Sequence, residues 1–508
     1  MSKEDSIELT EKAPSFLSHT ATYAIGNIAR RLVGFVMLPI YTRYLTPADY
    51  GVIGLLAFAM AVFEPIFGAR VGRAIPKFYL ETNDPRTRRA VLWGALGLTG
   101  VVSAVTMIGI MVARRAGAEF LFGNQDYALA LGMFAVNLLS QPIEHTGLSY
   151  IRLQGRSRLF LAFSLAKLFL QLSLNLLLVV YWRGGVIGIV ESGIISSTLM
   201  AIAVTSYVAF HERPAFDWSL TRRMLRFCWP LWFSGIAGLY IGSSGAMYLR
   251  FFDSLGDVGR LELGLKLGST IGALLWAPFR QHWEPMSFRY YYAAHGERRF
   301  QVAFVALSAL MIGGGLGVSI FAEPVIRVMS ANPFHAAAGI VPMLVLGSIL
   351  NSLGSFFNFS FIVTGHTKIH SVCQYATAAV ITLAYLLLVP RYGLVGAGYA
   401  QLIGYAAGFG LSRVLSRRYY DPGYPVAPLA VFISIGVIAY TASAFGSSGQ
   451  GAIFDLGVRL LVWAAAAALI ARVAVRSIIS VDADALGQLP KRVERLARFV
   501  GNRGRAEI

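Results

Sequence analysis

Charged residues are scarce in this chain. Only 14% of its 508 residues are Asp, Glu, Lys or Arg, against about a quarter in a soluble domain. An ordinary water-facing globule is therefore excluded. Cysteine is nearly absent as well: the only two, Cys228 and Cys373, lie in or beside apolar runs. A disulfide framework does not fit that placement, and each reads as a small buried hydrophobe. Long polar stretches are missing too. The longest interior connection, about 280–300, is amphipathic, and no segment is long enough to fold as a separate soluble catalytic domain. A P-loop pattern, an HExxH zinc pattern and a GxSxG nucleophile elbow are all lacking, so ATP-driven transport within this chain is not expected.

Apolar runs are what the chain has instead. Runs of about 20 residues recur along it, each long enough to cross ~30 Å of hydrocarbon. Fourteen spans are predicted, near 16–40, 50–69, 90–112, 127–148, 159–182, 185–210, 228–249, 260–280, 301–322, 338–363, 370–390, 394–412, 426–446 and 452–471. The first does not read as a cleaved signal: it follows a mixed-charge head, carries Arg30 and Arg31, and lacks a small-residue cleavage site.

With fourteen spans both termini share a side, and 31 Lys and Arg fall on that side against 8 on the other. By the positive-inside rule both termini are cytoplasmic. The net charge of +18 is thus mostly explained without a nucleic-acid partner. The tail "PKRVERLARFVGNRGRAEI" reads either as a short helix on anionic lipid or as a solvated retention tail.

The two halves repeat one another. "YTRYLTPADYG" at 41–51 matches "YLRFFDSLGDVG" at 248–259. "LQGRSRLF" at 153–160 matches "VTGHTKIH" at 363–370, and "LLLVVYWRGGVIG" at 176–188 matches "YLLLVPRYGLVG" at 385–396, pairing Gly185 with Gly393 and Gly188 with Gly396. An offset of about six spans preserves orientation, so the repeat is parallel, an arrangement found in transporters. The expected organisation is a head at 1–15, a six-helix lobe at 16–210, a linker at 211–227, a second lobe at 228–412, two further helices at 413–472 and a basic tail at 473–508. The fold class is all-α and polytopic, and the expected motion is rocking of the lobes around a central cavity.

Three stretches carry a family resemblance: "YAIGNIARRLVGFVMLPIYTRYLTPADYGVIGL" at 23–55, "GRLELGLKLG" at 259–268 and "LLLVPRYGLVGAGYAQLIGY" at 386–405. Together they resemble the polysaccharide-transporter family, the Wzx-type flippases of lipid-linked oligosaccharides. That family belongs to the superfamily that includes the lipid II flippase and the multidrug and toxin extruders. The resemblance covers nearly the whole chain, and its motifs do not specify the glycan. It implies a multidrug-and-toxin-extruder-like fold in the bacterial cytoplasmic membrane. It further implies translocation of polyprenyl-(di)phosphate-linked oligosaccharide units to the outer leaflet for cell-surface or exopolysaccharide synthesis.

Five cations lie within spans: Arg30, Arg31, Lys167, Lys266 and Arg459. Each costs roughly 2.5–3.5 kcal/mol at a span centre, so most should face a hydrated cavity or a fixed anion. Arg30 and Arg31 are about 100° apart on a helix, and at most one points squarely inward. The resemblance places basic residues at Arg31 and Lys266, which makes these the leading substrate-binding candidates, followed by Arg30, Lys167 and, at the cavity mouth, Arg73. Arg459 falls beyond the repeat, where a structural role fits better. Among acids in spans, Glu64 and Glu191 are candidates for a coupling ion or for pairing with these cations, and Glu144 follows Pro142.

A cationic cavity suits a phosphate-bearing cargo. No cofactor is expected beyond an H⁺ or Na⁺ gradient or the membrane potential. The expected partners are the polyprenyl-linked oligosaccharide and membrane lipids, with polysaccharide polymerase and chain-length machinery as candidate protein partners. Two same-fold alternatives are an ion-coupled multidrug antiporter, which would want a cavity rich in carboxylates, and a lipid II flippase. A membrane-bound glycan enzyme would want a large outer loop, and none here exceeds about fifteen residues, so the chain is not expected to be an enzyme.

Overall fold

The structure, a computed structural model, describes residues 37–67, 74–293, 296–446 and 451–481. Every regular element among them is helical. The order is α1 (Leu38–Tyr44), α2 (Pro47–Phe67), α3 (Ile75–Leu80), α4 (Pro85–Val112), α5 (Arg114–Phe122), α6 (Ala128–Leu153), α7 (Ser157–Asn175), α8 (Gly185–His211), α9 (Trp218–Ser243), α10 (Gly245–Phe252), α11 (Leu255–Gly268), α12 (Ala277–Tyr291), α13 (Gly296–Met329), α14 (Val341–Val363), α15 (Thr367–Ser416), α16 (Val426–Gly446) and α17 (Ala452–Val481). Eight of the described helical stretches are long and apolar enough to cross a membrane. The chain is a multi-pass helical membrane protein.

Local chemistry sets where these helices start and break. Asp84 caps α4, its carboxylate accepting from the amides of Arg86 and Thr87. The Thr87 hydroxyl, with those amides, holds this carboxyl below its usual range. Asp217 caps α9 in the same way, through Ser219 and Leu220. α15 is 50 residues long because the predicted spans 370–390 and 394–412 join across a sharp bend at Gly393 (φ 49°, ψ −128°). The predicted amphipathic connection at 280–300 is helical through Tyr291, as α12, and again from Gly296, as the start of α13.

The chain divides into two compact units, one holding residues up to Gly259 together with Met329–Pro333, the other holding Arg260–Val328 and the chain from Phe334 onward. In the first, α4, α6, α7 and α8 share a core of Leu92, Leu96, Leu148, Ile151, Phe160, Val204 and Val208. Glu212, just past α8, ties one end together: it accepts from the Tyr150 hydroxyl at 2.6 Å and faces Arg89 at 3.4 Å, while its carbonyl accepts from the Trp93 indole. α9 and α10 fall in the second lobe by sequence repeat, yet they belong to this first unit, where α9 packs on α2 and α4. In the second unit an aromatic cluster of Trp283, Phe300, Phe304, Phe356 and Tyr424 joins α12, α13 and α14 to the segment before α16. α17 docks on α13, the Trp463 indole donating to the Gly313 carbonyl at 3.0 Å.

The repeat seen in sequence is a repeat of backbone conformation. Gly185 and Gly393 both have positive φ, 55° and 49°, as do Gly155 and Gly365, 69° and 76°. A side chain there would be strained. Each of the first pair is followed, three residues on, by a glycine against a carbonyl. A Cβ on Gly188 would lie 2.9 Å from the Leu178 oxygen, and one on Gly396 would lie 2.3 Å from that of Leu388.

Candidate functional site

α2 and α11 begin alike. The Thr46 hydroxyl donates to Asp49 at 2.7 Å and accepts from its amide; the Ser254 hydroxyl does the same with Asp257, at 2.9 Å. One turn further on, the two helix starts meet within the first unit. A Cβ on Gly51 would stand 2.0 Å from the Leu255 oxygen, and one on Gly259 would stand 2.0 Å from the Pro47 oxygen. The contact is reciprocal between repeat-equivalent residues, so a local two-fold axis passes through it. Glycine is required at both positions because backbone fills the space a methyl would need.

From that contact α11 runs on to Lys266. Its Leu261, Leu263, Gly264, Leu267 and Gly268 face is buried, with Gly264 and Gly268 against Ile340 and Leu344. Glu262, Leu265, Lys266 and Ser269 lie on the opposite, less buried face. Glu262 and Lys266, one turn apart there, act on each other electrostatically. Lys266 thus lies on the half-buried face of its helix, turned away from its own unit's core. The helix loosens immediately afterwards. Thr270 donates its hydroxyl to the Lys266 carbonyl at 2.9 Å, and a π turn follows over Gly272–Trp276. Such widened turns concentrate at functional sites.

Lys167 differs. It lies on the inward edge of α7 with the buried Ser157, Phe160 and Ser164, and its ammonium reaches Glu144 of α6 at 2.6 Å. The side chains are 20% and 5% exposed. That pair joins α7 to α6. Glu191 is half-buried on α8, next to the buried Ser192, which donates to Asn175 at 2.6 Å. Arg30, Arg31 and Arg73 lie outside the described residues, as does the side chain of Glu64. Of the candidates, Lys167 falls in the first unit and Lys266 in the second. Arg459 has the structural role expected of it, donating to the Ile320 carbonyl and to Glu323, both at 2.7 Å.

Two partners escaped the sequence reading: Glu144 as the anion for Lys167, and Glu323 as that for Arg459. An acid near the level of each cation was the available signal, but helix packing alone picks the right one.

A model of the family described as polysaccharide biosynthesis protein matches residues 16–291, more than half of the chain. The chain belongs to that family. No curated protein matches it. Among solved structures, it resembles the lipid II flippase MurJ in an inward closed conformation, with a TM-score of 0.73 at 11% identity over 91% of this chain and 100% of that one. It also resembles an inward-facing multidrug resistance MATE transporter of the MOP superfamily, with a TM-score of 0.60 at 15% identity over 81% and 99%. These likenesses establish the fold: an all-helical architecture shared with flippases and drug transporters.

Proposed function

We propose that this chain is a flippase for polyprenyl-(di)phosphate-linked oligosaccharide units, carrying them from the cytoplasmic to the outer leaflet by alternating access. The setting is the bacterial cytoplasmic membrane, with both termini inside. Lys266 carries the reading. In a protein of a polysaccharide-biosynthesis family, it is a cation on the less buried face of its helix, directed away from its own unit's core. An ammonium so placed binds a phosphate as a point charge. Arg31, with Arg30 and Arg73, would complete a cationic lining. A proton or sodium gradient, or the membrane potential, would supply direction.

Complementation of a deletion strain tests this, scoring surface polysaccharide beside membrane protein level. Arg31→Ala and Lys266→Ala should abolish polysaccharide at normal protein level. Arg115→Ala, an exposed position on α5, should leave it unchanged. If both core variants export normally, the cationic-cavity reading is wrong.

A further inference from the structure

α16 and α17 lie outside the repeat, and with the end of α13 and the 3₁₀ segment Asn332–Ile340 they border a cavity of about 1040 Å³. Its lining carries both signs of charge. Glu323 accepts from Arg327 at 2.6 Å and from Arg459 at 2.7 Å. One carboxylate between two guanidiniums leaves this cluster with an excess positive charge. Arg327 is 66% exposed, and among the described residues it uses a single N–H of its fork, on Glu323. Asp455, in the first turn of α17, lines the same cavity. Among the described residues its Oδ1 is buried and accepts no hydrogen bond, an unfavourable state for a carboxylate oxygen. Tyr440, Ser319 and Ser443 add polar groups to the lining.

A surplus cation and an unsatisfied carboxylate in one cavity complement a zwitterion rather than an anion. The surroundings say where it comes from. α17 displays Ile453 at 90% and Leu461 at 72% exposure, with Phe454, Leu456 and Leu460 also exposed. In a membrane that face meets hydrocarbon chains, which places a lipid headgroup within reach of the cavity.

We propose that this cavity binds the headgroup of a zwitterionic aminophospholipid, its ammonium at Asp455 and its phosphate at Arg327, with the acyl chains along the exposed face of α17. The site does not depend on the flippase reading, because none of its residues belongs to the transport machinery proposed above.

Native mass spectrometry of the purified, delipidated full chain tests it, with phosphatidylethanolamine, phosphatidylcholine and phosphatidylglycerol titrated separately. Phosphatidylethanolamine should bind most tightly, since its ammonium donates hydrogen bonds that choline cannot and that glycerol supplies without charge. Asp455→Asn should weaken it roughly tenfold, as expected for losing one charge-assisted hydrogen bond, and should erase the preference over phosphatidylcholine. Arg327→Gln should weaken all three. Equal binding of the three lipids by the unaltered chain would overturn the proposal. So would an Asp455→Asn chain that keeps the preference, or a retained adduct that proves to be a prenyl phosphate. If Asp455→Asn does not fold, the lipid ranking of the unaltered chain and the response of Arg327→Gln decide.

Discussion

Lys167 and Lys266 are the same side chain set in helices of the same protein, and their surroundings differ. Lys167 stands on the inward edge of α7 and closes on Glu144 of a neighbouring helix at 2.6 Å. Lys266 stands on the less buried face of α11, and its acidic neighbour Glu262 is on its own helix. The first arrangement joins two helices and consumes the charge. The second pair lies within one helix and keeps the ammonium on a face away from the core. Rotation of the helix about its axis, rather than the presence of a cation in a span, separates a fastener from a candidate binding group.

The largest effect should come from breaking the fastener. Glu144→Leu would leave Lys167 facing apolar side chains with its charge uncompensated. Breaking a buried pair from one side costs about 3–5 kcal/mol, whereas replacing both partners with apolar residues is often neutral. Thermal unfolding in nanodiscs should therefore show a large drop for Glu144→Leu and a return close to the unaltered value for Glu144→Leu/Lys167→Leu. A single variant that melts like the parent would mean Lys167 is not held there, and the contrast between the lysines would collapse.

Lys266→Met should behave in the opposite sense. Its stability loss should stay below the roughly 3–5 kcal/mol of breaking an interhelical buried pair from one side, while polysaccharide export is lost. A melting loss as large as that of Glu144→Leu would make Lys266 a second fastener.

How much of this was legible in the sequence differs from feature to feature. The repeat was, because glycine is favoured where the backbone takes a positive φ: Gly185 and Gly393 mark equivalent bends. The glycines of "ADYG" and "GDVG" were also visible as equivalents. That they touch each other's helix backbones was not, since their spacing of 208 residues along the chain says nothing of proximity. Arg459 could be assigned a structural role from its position beyond the repeat. Its partner Glu323 is 136 residues away and is chosen by how α17 lies on α13. Periodicity fixes which residues share a helix face, and packing then fixes what that face meets. That is why periodicity alone did not separate Lys167 from Lys266, and only the resemblance ranked them.

The smallest effect isolates burial from spacing. Arg280 and Glu284 on α12 are one turn apart like Glu262 and Lys266, at 3.6 Å, but their side chains are 54% and 68% exposed. Their order is also the reverse, with the cation N-terminal to the acid, the weaker orientation on a helix. Water and salt screen such a pair, so Arg280→Ala should shift unfolding by no more than about 0.5 kcal/mol, and raising the salt concentration should remove even that. Export should stay at the parental level. If Arg280→Ala instead matched Lys266→Met in abolishing export, spacing on a helix would matter more than burial, and the half-buried face of α11 would lose its claim to be special.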